Sequence, residues 1–160
     1  MARKKKTIVD DIYFMMRDVN SDSLFSKLDQ LTDLEVTDRD GRTVLINAAF
    51  CGRMDVIHRL ISRGANVNAS DCNGFTALLA AVQEQNIPMV EYLLSVGADI
   101  HAQNIHGNSV LMIPNNDCPE QLWRILLSHG ADPHKKNNYG ISAADLWQTG
   151  NGPEFLKSYI

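Results

Sequence analysis

The sequence predicts an all-α solenoid in which short helix pairs stack in layers and tight turns join them. Three observations carry this reading. Two glycine columns recur every 33 residues: Gly41, Gly74, Gly107 and Gly140 in one, Gly64, Gly97 and Gly130 in the other. Whole phrases recur with them: GANVNASDCNG at 64–74, GADIHAQNIHG at 97–107 and GADPHKKNNYG at 130–140. Between the glycines, apolar residues fall at helical spacing, as at Val56, Ile57, Leu60 and Ile61. A fixed period of about 20–50 residues marks a stacked repeat. No single unit can bury its apolar face, and stacking builds one continuous core.

The elements follow in chain order. Residues 1–7 read as a basic flexible tail. Asp10 and Asp11 interrupt the apolar stretch behind it, so no export signal is expected. Residues 8–160 read as one repeat domain. Within it, 8–37 form an N-terminal cap with a helix pair at Ile8–Arg17 and Asp22–Leu31, lacking the glycine signature. Repeats follow at 38–70, 71–103 and 104–136, and 137–160 form a C-terminal cap with shortened helices. That makes about five helix pairs.

Each column has a physical cause. Gly41 and its equivalents sit in turns where positive φ is cheap only for glycine. Thr43, Thr76, Ser109 and Ser142 stand two residues later as helix N-caps. TVLINAAF and TALLAAVQ read as short first helices with small residues on one side. MDVIHRLISRG, IPMVEYLLSVG and PEQLWRILLSHG read as second helices ended by C′ glycines. The third repeat departs from this. Pro114 stands in the column of Ala48 and Ala81 and should end its helix early. An irregular loop is expected from Pro114 to Cys118. Trp123 shares an apolar column with Ile57 and Val90 and reads as core. Trp147 reads as a cover on the end of the stack.

Composition excludes several functions. Net charge is −4, and Arg3–Lys6 holds four positive charges, so the remainder carries −8. An acidic body disfavours nucleic acid as the main partner. No stretch suits a membrane span, which takes about 18 apolar residues. Three cysteines, Cys51, Cys72 and Cys118, fit a reducing compartment better than a disulfide framework, so a cytoplasmic location is expected. Neither a glycine-rich phosphate loop, a zinc-protease motif nor a nucleophile elbow is present. No enzymatic activity, cofactor or metal site is expected.

The phrase DRDGRTVLINAAFCGRMDVIHRLISRGANVNAS (38–70) resembles the ankyrin repeat, whose length is 33 residues. The resemblance is good from Asp38 to Ile160 and runs weakly back to about Ile8. The family's Pro-Leu-His after the threonine is replaced by Val44-Leu45-Ile46, Ala77-Leu78-Leu79 and Val110-Leu111-Met112. The histidine that tethers neighbouring turns is absent, so looser turns are expected.

The resemblance implies protein binding through a concave face made of turn tips and first helices. By column, the tips supply Arg39, Asp40, Arg42, Cys72, Asn73 and Phe75. Further along they supply Ile105, His106, Asn108, Asn138, Tyr139 and Ile141. The first helices supply Phe50, Cys51, Gln83 and Glu84, and the third-repeat loop adds Asn116 and Asp117. Aromatics at Phe50, Phe75 and Tyr139 suit an interface. The expected partner is another protein, bound by a chain that is monomeric alone. Small stand-alone chains of this type with a basic start resemble bacterial ankyrin proteins, some of which act as immunity proteins against a toxin. The alternative is a structural or assembly subunit of a larger complex.

Overall fold

The computed structural model describes residues 7–18, 23–114, 117–149 and 154–159. Five layers stack in chain order: α1 (Ile8–Arg17) with α2 (Ser23–Asp29), α3 (Val44–Phe50) with α4 (Met54–Ser62), and α5 (Ala77–Gln83) with α6 (Ile87–Ser95). A 3₁₀ turn (Val110–Met112) with α7 (Glu120–Ser128) makes the fourth layer, and α8 (Ala143–Gln148) with a 3₁₀ helix (Glu154–Tyr159) the fifth. First helices pack on first helices, α1 on α3 and α3 on α5. The only β pairing among the described residues is one isolated bridge in each central turn, such as Ser70 with Thr76.

Capping explains where the helices begin and end. Thr43 Oγ1 and Thr76 Oγ1 accept from the backbone N–H of Ile46 and Leu79, each at 3.3 Å. Thr7 and Ser142 form full capping boxes with Asp10 and Asp145. The second helices end in Schellman motifs. Ala65 N donates to Leu60 O at 3.0 Å, Ala98 N to Leu93 O at 2.9 Å and Ala131 N to Leu126 O at 3.1 Å. Helix α2 has Leu31 where the others have glycine. There Arg63 of the next layer donates to Leu28 O, which also accepts from Leu31 N, and to Leu31 O just beyond the helix, so a cation from the next layer closes the helix end.

The core runs unbroken through the layers. Leu45, Leu78 and Leu111 are buried in one column, and Leu60, Leu93 and Leu126 in another. Ala48, Ala49, Ala80 and Ala81 are fully buried and let α3 and α5 approach closely. Trp123 is buried, and Trp147 meets it edge-on at 5.7 Å between ring centroids, closing the last layer. The expected truncation of the third repeat's first helix is present, and it is severe: three residues of 3₁₀ helix replace two turns of α-helix. The basic start, residues 1–6, lies outside the described residues.

Candidate functional site

The turn tips are built four times on one plan. Asp38 Oδ1 accepts from the N–H of Asp40 and Arg42, and Asp71 Oδ1 from Asn73 and Phe75. Asn104 Oδ1 accepts from His106 and Asn108, and Asn137 Oδ1 from Tyr139 and Ile141. Such Asx turns fix the backbone locally. The glycine closing each turn has φ between +74° and +76°. Neighbouring tips are then tied backbone to backbone. Cys72 N donates to Asp40 O at 3.1 Å, Ile105 N to Asn73 O at 2.9 Å and Asn138 N to His106 O at 3.0 Å. This corrects the expectation of looser turns: the missing histidine tether is replaced by a main-chain bond that does not depend on side-chain identity. An added Cβ at Gly74 would stand 2.9 Å from Ile105 N, so close approach as well as φ demands glycine there.

Beneath the tips the first helices form one side of a groove. Three cavities lie along it, of about 710, 330 and 240 Å³. They share walls: Tyr13 lines the first and second, Arg42 the second and third, and Phe50 the first and third. Phe50 and Phe75 lie 6.0 Å apart between ring centroids. The Arg42 guanidinium stands 4.8 Å over the Phe50 ring and its Nε donates to Asp71 Oδ2 at 3.3 Å. His106 and Tyr139 stack at 6.3 Å further along.

The residues singled out from sequence fall into three groups. Asp40, Cys72, Asn73, Gln83, Glu84, His106 and Asp117 are exposed. Ile105, Tyr139 and Ile141 present large apolar surface, with Tyr139 at 70% exposure. Others are engaged in the scaffold. Asn138 Nδ2 donates to Ile105 O at 2.9 Å, and Asn108 Oδ1 accepts from Asn137 at 2.8 Å. Arg39 stands 3.8 Å from Asp10. Phe50, Cys51 and Phe75 pack against the core and are half-buried, so these two aromatics form the wall of the groove, unlike the exposed Tyr139. Gln83 shares the column of Phe50, and Arg42 and Asn108 that of Phe75, so this wall holds polar as well as apolar side chains. Asn116 lies outside the described residues.

The column reading missed the first cap. Tyr13, Phe14 and Arg17 of α1 extend the groove, and Phe14 is 59% exposed. The available signal was Thr7, which caps α1 as Thr43 caps α3, but 36 rather than 33 residues before it.

Among the described residues, no group of three His, Cys, Asp or Glu side chains gathers to hold a metal ion. Burial pushes the Cys118 thiol up to about 11. Burial also raises Cys51, with Arg17 and Arg53 pulling the other way. Neither cysteine is held as the thiolate a nucleophile needs. Among the described residues no helix is long and apolar enough to cross a membrane.

These layers define a solenoid of helix pairs with a groove under its turn tips. The family model for ankyrin repeats, in three copies, matches residues 14–104, more than half of the chain. The chain therefore belongs to the ankyrin repeat family. Such repeats are generally protein–protein interaction modules and typically non-enzymatic scaffolds. The match reaches into α1 and stops where the irregular layer begins. No curated protein matches the chain.

Proposed function

We propose that residues 8–160 act as one binding module that engages a partner protein along the groove, through the turn tips and first helices. The continuity of the groove supports this most directly: three cavities with shared walls run from Tyr13 to His106. Its lining mixes half-buried aromatics with exposed polar groups, the make-up of a specific, non-obligate interface. That mixture favours a regulatory or inhibitory partner contact over permanent assembly, where a larger apolar face is the rule.

Capture of partners from native extract tests the reading. Wild type is compared with a variant in which exposed Glu84, Ile105, His106 and Tyr139 are changed to alanine, and with a control altered at exposed Glu91 on α6. A partner kept by the control and weakened at least about tenfold in the tip variant supports the groove. Equal retention by all three moves the interface elsewhere. The captured protein's identity then decides between neutralisation of a toxin, as in immunity proteins, and another kind of regulation.

A further inference from the structure

We propose that the N-terminal end of the groove seats a carboxylate of the bound segment on Arg17, with an apolar residue beside it. This rests on the groove being the binding face.

The cavity of about 710 Å³ opens between the ends of α1 and α3, lined by Tyr13, Met16, Arg17, Phe50, Cys51, Arg53 and Asp55. Tyr13, Met16 and Phe50 give it an apolar floor. Its three charged groups differ in how far they are already used. Arg53 Nε and Nη2 donate to the two Asp55 oxygens at 3.0 and 2.8 Å, and its Nη1 donates to Met16 O at 2.9 Å. Arg53 and Asp55 thus neutralise each other. Arg17 lies over the Tyr13 ring, 5.9 Å from its centroid, and among the described residues it meets no carboxylate within ion-pair distance. Among the described residues the wall therefore carries one positive charge without an ion-pair partner, on a fork whose face is steadied by a ring.

An anion at a helix C-terminus normally meets opposing carbonyls. Here two of those carbonyls are occupied: Met15 O accepts from Asp18 N, and Met16 O from Arg53. Further along the groove exposed Asp40 repels a carboxylate, while exposed Glu84 lies close enough to this cavity to act on the Cys51 thiol and sets its acidic border. Arg39 and Arg42 of the next cavity already face Asp10 and Asp71, so a segment bearing one acidic side chain is drawn towards Arg17, which biases its direction in the groove.

The probes are two capped tripeptides, acetyl-Leu-Glu-Leu-amide and acetyl-Leu-Gln-Leu-amide, titrated into the full ¹⁵N-labelled chain. The glutamate peptide is expected to shift the amides of Tyr13–Arg17 and Phe50–Arg53 saturably. The glutamine peptide, or the glutamate peptide on Arg17→Gln, should bind about tenfold more weakly, the scale of one charge-assisted hydrogen bond. Arg17→Lys should recover part of the loss. Arg17 is exposed, so the fold is expected to survive both changes, checked by circular dichroism. Equal binding of the two peptides within the groove overturns the carboxylate seat and leaves the groove as binding face. Shifts elsewhere, or none with either peptide, overturn the seat, while the capture experiment separately decides the fate of the groove.

Discussion

The layers at 71–103 and 104–136 share a sequence plan and differ in how completely they execute it. In the first, Thr76 caps a seven-residue α5, buried alanines pack it on α3, and the following loop is tied back because Asp99 N donates to Asn68 Oδ1 at 2.8 Å. In the second, Ser109 starts only a 3₁₀ turn. Met112 N, which a capping hydroxyl would bind, instead donates to Ser109 O at 2.9 Å. The Ser109 hydroxyl is left buried without a partner, and so is Trp123 Nε1. The proline at 114 forbids the backbone bond that would continue the turn. Yet α7, its Schellman cap and the turn tip all survive. A layer holds its place through its outer helix and its tip, and the inner helix supplies stability rather than position. Because repeat stability is close to a sum over neighbouring layers, the second of these layers is the weak link.

Unequal stability predicts unequal unfolding, and this is the largest expected effect. Both tryptophans, Trp123 and Trp147, lie beyond the weak layer's turn, whereas helices α1–α6 lie before it. In urea, tryptophan fluorescence should change at lower denaturant than the helical circular dichroism signal, with faster amide exchange after Asn104. Leu78→Ala should cost roughly 3 kcal/mol, the usual price of a buried leucine truncation, and lower both transitions. Leu111→Ala should lower the fluorescence transition alone. Coincident transitions in the wild type would remove the distinction between the layers.

A smaller effect separates two glycines of one column. Gly74 and Gly140 have φ of +75° and +76°, so alanine strains both backbones alike. Only at Gly74 does the new methyl meet the next layer's backbone, while at Gly140 it meets nothing within 4 Å. Gly74→Ala should therefore cost at least about 1 kcal/mol more than Gly140→Ala in chemical denaturation, the lower range for overpacking. Equal costs would mean that the tips have room to separate.

The smallest effect concerns the two caps. Thr76→Ala should lose about 1 kcal/mol. Ser109→Ala should be close to neutral, since it removes a buried hydroxyl with no partner. A loss at Ser109 equal to that at Thr76 would show that the hydroxyl is satisfied in solution.

The repeat columns were legible because stacking forces the same residue types to the same places. Leu45, Leu78 and Leu111 must be apolar, and Gly41, Gly74 and Gly107 must be glycine, whatever the chain binds. The failed cap at Ser109 was not legible, since a serine in the right column looks sound until its target amide is found bonded elsewhere. Nor was the part played by Tyr13, Phe14 and Arg17: the longer α1 displaces them from the 33-residue register. Groove residues were located by column, but their half-burial was not. Phe50 and Phe75 turn towards each other and towards Arg42, a contact across layers that spacing along the chain does not encode.

The bond from Asn138 N to His106 O joins the fourth and fifth layers at their tips. On the opposite edge, the side-chain tie that Glu35 gives Asn66 and Asn68 gives Asp99 has no counterpart between His101 and Asp132 among the described hydrogen bonds. The loop side of this junction is held instead by a main-chain bond, Ala144 N to Pro133 O at 2.9 Å, so the last layer is fastened at both edges without the side-chain tie used earlier in the stack. Anything gripping the stacked His106 and Tyr139 rings would bridge the same two layers from outside and steady the end of the molecule without touching its core.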